Sequence, residues 1–101
     1  MNNAKLRIGF LGCGQRGQML VSDSLAFPEV EVVALCDLYE DRTESLANEV
    51  ERRQGSRPLT ATDPQTVIDC CPDAILIATP WESHVKLAIR TLRAGIPTVW
   101  R

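Results

Sequence analysis

The amino-acid sequence predicts an α/β fold: a doubly wound parallel sheet of five strands in the order 3-2-1-4-5. Three observations lead there. Five apolar runs alternate with helix-like segments along 101 residues, without internal repeats or low-complexity tracts, which is the rhythm of a sheet with helices on its faces. The apolar runs are continuous rather than alternating, as in strands covered on both sides. A glycine run, Gly12-Cys13-Gly14-Gln15-Arg16-Gly17, separates the first apolar run from the first helical segment, where the chain must turn sharply. Right-handed crossovers and the switch-point rule give the order.

The elements follow one by one. The first strand is expected over Leu6 to Leu11. The first helix runs from Gln15 to Ala26, with Gly17, Leu20, Val21, Ser24 and Leu25 on one face. Phe27-Pro28 stops it, because proline cannot continue the ladder and restricts its predecessor. The second strand covers Val30 to Cys36. The second helix covers Glu40 to Gln54, with Glu40 and Asp41 in its first turn, Arg52 and Arg53 in its last, and Gly55 as its C-cap. Leu46, Ala47 and Val50 form its inner stripe. A short third strand spans Pro58 to Ala61, and Pro58 places it at an edge. Asp63 is an N-cap and Pro64 the first residue of a short helix running to about Cys70. The fourth strand, Ala74 to Ala78, is the most apolar stretch and is expected at the sheet centre. The last helix runs from Glu82 to Ala94, with Val85, Ala88, Ile89 and Leu92 as its inner stripe. Lys86, Arg90 and Arg93 lie on the opposite face and read as a solvated surface, Gly95 caps the helix, and Thr98-Val99-Trp100 begins a fifth strand.

The chemistry gathers where strands one, two and four end. Gly12 lets the chain turn out of the strand, Gly14 removes a Cβ where backbone must approach a pyrophosphate, and Gly17 lets the first helix pack close to the sheet. The first-turn N–H groups at Gln15, Arg16 and Gly17 have no partners inside the helix and, with the helix dipole, form an anion site. Asp37, twenty residues after Gly17, is placed to accept hydrogen bonds from a ribose. Together these read as a dinucleotide site. Across from the loop lies a second cluster, Ala78-Thr79-Pro80-Trp81-Glu82-Ser83-His84. Thr79 offers a hydroxyl and a backbone group to a ribose or to the nicotinamide end, and Pro80 stiffens the turn. His84, the single histidine, reads as a structural or cofactor-contacting imidazole used for hydrogen bonding. Without a nucleophile or partner it does not make a catalytic centre. Trp81 either flanks the cofactor or covers the helix end.

Composition excludes other classes. Net charge is −2 with both signs mixed along the chain, so no basic tract invites nucleic acid. No run approaches the ~20 apolar residues of a membrane span. The stretch before the first strand lacks the apolar core of a secretory signal, and the cytoplasm is the expected compartment. Cys13, Cys36, Cys70 and Cys71 fit no common zinc spacing and read as reduced, non-catalytic thiols. No metal is expected.

Three stretches together resemble the N-terminal domain of the glucose–fructose oxidoreductase / inositol dehydrogenase / MocA (Gfo/Idh/MocA) family. They are Ile8 to Gly17, Val33-Ala34-Leu35-Cys36-Asp37 with Arg42 five residues on, and Asp73-Ala74-Ile75-Leu76-Ile77-Ala78-Thr79-Pro80 through His84. The Thr-Pro with histidine four residues after the proline is the more diagnostic part, and the likeness covers essentially the whole chain. It implies a Rossmann-like NAD(P)-binding domain of an oxidoreductase acting on a sugar, cyclitol or similar polyol. A branch of the superfamily instead cleaves glycosides by transient oxidation with NAD. Asp37 favours NAD. Arg42 leaves NADP possible, unless it pairs with Glu40 or Asp41 on the helix surface. Family members follow the alanine-glycine with a strand and then Glu-Lys-Pro, whose lysine transfers the proton. Here Ile96-Pro97-Thr98-Val99-Trp100-Arg101 follows, with Arg101 at the glutamate position and no counterpart of the lysine, so no catalytic residue is assigned. The substrate domain is absent as well. The 101 residues are therefore expected to be the dinucleotide-binding domain of a two-domain protein, binding cofactor without turnover. The small-molecule substrate then belongs to the full-length parent. A non-catalytic nucleotide-binding module is the alternative. Apolar surface on the fifth strand and on faces normally covered by a second domain predicts a homo-oligomer.

Overall fold

The computed structural model describes residues 5–100, with the side chains of Trp81, Glu82 and Trp100 left out. Its elements are β1 (Leu6–Leu11), α1 (Gln15–Ser24), β2 (Val30–Cys36), α2 (Glu40–Gln54), β3 (Leu59–Ala61), α3 (Pro64–Asp69), β4 (Ala74–Ile77), α4 (Trp81–Arg93) and β5 (Thr98–Trp100). All strand pairs are parallel and the order is β3-β2-β1-β4-β5, the doubly wound Rossmann arrangement. The middle strand is β1. The expectation that the fourth strand is central is corrected: β4 lies one place off. Both strands are covered on two faces, and apolar content alone does not separate them.

Two cores lie on opposite faces of the sheet. Phe10, Val21, Val32, Leu35, Leu46 and Val50 pack under α1 and α2. Leu11, Val67, Ile75, Ile77, Ala88 and Ile96 pack under α3 and α4. The pairing of β1 with β2 shifts between Ile8 and Gly9, whose partners are Val32 and Ala34. Val33 is thus an extra residue in β2, and this bulge turns both Val32 and Leu35 into the same core.

Local chemistry sets the helix ends. Asp63 Oδ1 accepts from the Gln65 amide at 2.9 Å with Pro64 in the first turn of α3, and Gly55 closes α2 with φ 89°. At the end of α2, Arg52 pairs with Glu49 and Arg53 bonds Ser22 Oγ at 2.9 Å. The first helix stops at Ser24, two residues short of expectation. The Ala26 and Phe27 amides turn to Asp23 and Ser24 carbonyls, i+3 bonds that tighten a last turn before Pro28. On β2, Val32 has no β3 partner, since β3 pairs only with Ala34, Leu35 and Cys36. The Gln54 carboxamide takes that place, accepting from Val32 N at 3.0 Å and donating to Val32 O at 2.9 Å.

The last helix is rotated relative to expectation. Among its described side chains the buried ones are His84, Ala88 and Thr91, with Leu87 half-buried. Val85, Ile89 and Leu92 are 59%, 44% and 52% exposed. The inward face thus carries Ala88 and Thr91 beside His84 and Leu87. Thr91 is tolerated inside because its hydroxyl bonds Ala88 O at 3.0 Å and Thr98 Oγ1 at 2.6 Å.

Candidate functional site

The chain leaves β1 through Gly12, at φ 105°. A Cβ there would stand 2.7 Å from the Ala78 carbonyl carbon and 2.9 Å from Thr79 N, so the loop is pressed against the end of β4. Two 2.7 Å bonds hold it: Gly12 N–H to Cys36 O, and Ala78 N–H to Leu11 O. A Cβ on Gly17 would fall 2.0 Å from Gly12 O. The close packing expected of Gly17 against the sheet is instead made first with the loop itself. Gly14 differs. It is the N-cap of α1 and has no side-chain capping bond, and the nearest atom to its Cβ position is Arg42 Nη1 at 3.6 Å. The first-turn amides of α1 open into a cleft, with their charge uncapped by any side chain at that position.

Asp37 closes the second side. Its side chain is only 9% exposed. Oδ2 accepts from the Cys13 amide at 2.7 Å, and Oδ1 accepts from the Tyr39 amide at 2.9 Å. Arg42 Nη1 is 4.0 Å from Oδ1, and the guanidinium sits over the Tyr39 ring. Arg42 is therefore directed at Asp37 and Tyr39, not at the Glu40 or Asp41 neighbours considered from sequence.

The turn from β4 into α4 makes the third side. Thr79 Oγ1 is buried and has no hydrogen-bond partner among the described residues, a polar atom that a bound group would satisfy. His84 is 6% exposed in the first turn of α4. The side chain of Trp81 lies outside the described residues.

These walls enclose a cleft of about 1060 Å³. It gathers Gly12, Gly14, Gln15, Arg16, Asp37, Arg42, Ala78, Thr79, Pro80 and His84, while Gly17 is buried beneath the loop. Sequence reading missed Leu38 and Tyr39 after Asp37, Thr62 and Pro64 at the mouth of α3, and Leu87 on α4. Tyr39 was the accessible signal, an aromatic two residues beyond the acid. Lys86 and Arg90, read as a solvated face, are exposed but also line the cleft. The rotation of α4 brings that edge of the helix to the site, and Arg90 Nη2 bonds Gln65 Oε1 at 2.9 Å.

The thiols are free, with Cys13 and Cys36 buried and Cys71 exposed. Burial, and then the charge of Asp37, push the Cys13 thiol up to about 12. The same causes push Cys36 up to about 11. Neither is a thiolate nucleophile at neutral pH. Among the described residues no cluster of His, Cys, Asp and Glu is arranged to hold a metal, and no helix is long and apolar enough to cross a membrane.

The donor set fits a dinucleotide: open amides for a diphosphate, a carboxylate for a ribose, and a buried hydroxyl beyond. Residues 6–100 match the family described as "Oxidoreductase family, NAD-binding Rossmann fold", Gfo/Idh/MocA. The chain belongs to the Gfo/Idh/MocA oxidoreductase family. This Gfo/Idh/MocA domain is 32% identical over 96 residues to the glycosyl hydrolase family 109 protein 1 of Akkermansia muciniphila, covering 90% of this chain and 20% of the relative. The chain thus spans about a fifth of the length of the curated relatives it matches. A myo-inositol dehydrogenase from Corynebacterium glutamicum superposes with TM-score 0.81 at 27% identity, over 95% of this chain and 27% of that one. The scyllo-inositol dehydrogenase of Lactobacillus casei, solved with NAD(H) and scyllo-inositol bound, shares the fold with TM-score 0.84 at 16% identity, again over 95% and 27%.

Proposed function

We propose that this domain holds NAD(H) along the cleft as the cofactor module of a larger enzyme. In this reading that enzyme transfers hydride to or from a sugar, cyclitol or similar polyol. The diphosphate lies over Gly12 to Gly17 with Gln15 and Arg16 in the first turn. The adenosine ribose rests against Asp37, and the nicotinamide end points to Ala78, Thr79, Pro80 and His84. One observation carries the reading: the uncapped turn of α1, Asp37 and the unpartnered Thr79 hydroxyl meet in a single cleft. The bound nicotinamide supplies the hydride chemistry, and the residues named here bind and orient it. Arg42 beside Asp37 admits NADP as a second ligand. No catalytic residue is assigned within the chain, and substrate contacts fall to the rest of the enzyme, in keeping with the greater length of its relatives. The compartment taken is the cytoplasm, where free thiols persist.

Titration with NADH, followed by nicotinamide fluorescence, tests the reading. Saturable enhancement is expected, and no change at millimolar NADH overturns it. A second reading, a glycosidase that uses NAD by transient oxidation, is favoured by the names of the curated relatives, glycosyl hydrolase family 109 proteins at 32% and 35% identity. Sugar release from a glycoside without net NADH, catalysed by the full-length gene product, selects it. Net NADH formation with a polyol selects the dehydrogenase.

A further inference from the structure

We infer that Asp37 is a positioning residue for the glycine loop, so that it governs the grip on a diphosphate as well as on a ribose. The inference rests on the cofactor reading above. An acid serving only a ribose would leave its oxygens turned to the cleft. Here both are engaged by backbone: Oδ2 by the Cys13 amide at 2.7 Å and Oδ1 by the Tyr39 amide at 2.9 Å. The Cys13 amide lies between Gly12 and Gly14, at the tip of the loop. Arg42 stands on the Oδ1 side at 4.0 Å, so Oδ2 is left to Cys13.

The end of β2 holds the loop at three successive points. Cys36 O accepts from the Gly12 amide at 2.7 Å and from the Cys13 thiol at 3.5 Å, and Asp37 takes the Cys13 amide. Of these, only the last depends on a side chain of β2's end. A charge-assisted bond to a nearly buried carboxylate is among the stronger polar contacts a loop can have. It orders the backbone before any ligand arrives, so the ligand need not supply that ordering. The remaining lone pairs of the two oxygens still serve ribose hydroxyls. Asp37 thereby couples the ribose and diphosphate parts of the cleft through one carboxylate.

The isosteric Asp37→Asn tests this, because its amide group turns N–H toward one of two N–H donors and one bond is lost. The probe is inorganic pyrophosphate, which has no ribose. Its affinity is expected to fall by roughly tenfold or more, against the gain that loss of a negative charge beside an anion would otherwise bring, and Cys13 is expected to alkylate faster while Cys36, held in the strand, stays protected. Unchanged pyrophosphate affinity overturns the proposal and leaves the cofactor reading standing, whereas an unsubstituted chain that binds neither pyrophosphate nor NADH overturns both. Hydrogen exchange on the unsubstituted chain gives a second measurement that survives a poorly folding variant. The Cys13 amide should exchange at least roughly tenfold more slowly than those of Gln15 and Arg16. Equal rates overturn the role assigned to Asp37.

Discussion

The guanidinium of Arg42 lies over the ring of Tyr39, 4.6 Å from its centroid. Stacking holds the cation beside Asp37, where the adenosine ribose is proposed to sit. A bare carboxylate there repels a 2′-phosphate, and a parked guanidinium offsets that repulsion.

Arg42→Ala is therefore expected to weaken NADPH about tenfold and NADH no more than about threefold, a difference near 1 kcal/mol of the kind exposed charges contribute. Parallel fluorescence titrations of the two cofactors measure it. Equal losses would show that Arg42 does not meet the phosphate.

Two glycines of one loop should respond in opposite ways. Gly17→Ala places a Cβ 2.0 Å from Gly12 O, an overlap with backbone that should destabilise the fold by about 3 kcal/mol. At Gly14 the nearest atom is the flexible end of Arg42 at 3.6 Å. Gly14→Ala is expected to unfold within about 0.5 kcal/mol of the unsubstituted chain, yet to bind NADH at least roughly tenfold more weakly because the methyl occupies the place proposed for the diphosphate. Urea denaturation alongside NADH titration separates the two effects.

Alkali should weaken the native state through its buried thiols. Cys13 is raised from 9.0 to about 12 and Cys36 from 9.0 to about 11. A folded-state value above the unfolded one contributes stability that is complete below pH 9 and is lost as pH rises toward 12, because the unfolded chain releases its proton first. At pH 10 the loss is about 1 kcal/mol per thiol. Chemical denaturation at pH 8 and pH 10 should show it, with Cys13→Ala removing part of the difference. Stability that is level across this interval would contradict the burial of Cys13.

The exposed stripe of Val85, Ile89 and Leu92 is expected to drive self-association at high concentration. Ile89→Gln with Leu92→Gln should shift sedimentation toward monomer while changing stability by under about 0.5 kcal/mol per site. A concentration-independent monomer for the unsubstituted chain would rule the stripe out.

Features that depend on a few adjacent residues were legible in the sequence. The glycine run and Asp37 at a strand end were located to the residue, and the turn after β4 to within one residue at each end, because glycine geometry and helix-end chemistry are local. The rotational phase of α4 was not legible. Residues 85, 88, 89 and 92 obey helical spacing, and so do 84, 87, 88 and 91, with Ala88 common to both. Spacing favoured the larger apolar set. Packing against the sheet selected the more polar set, with Thr91 satisfied by Ala88 and Thr98. That choice also carried Lys86 and Arg90 to the cleft wall. The partner of Arg42 was hidden for a similar reason, since its ring contact forms where the chain between β2 and α2 folds back.

The Gln54 carboxamide, bonded to both main-chain groups of Val32, makes the two margins of the sheet unequal. Where β3 does not reach, a side chain ends the ladder on β2 and denies a foreign strand that rung, so this stretch of main chain is closed to edge-to-edge pairing.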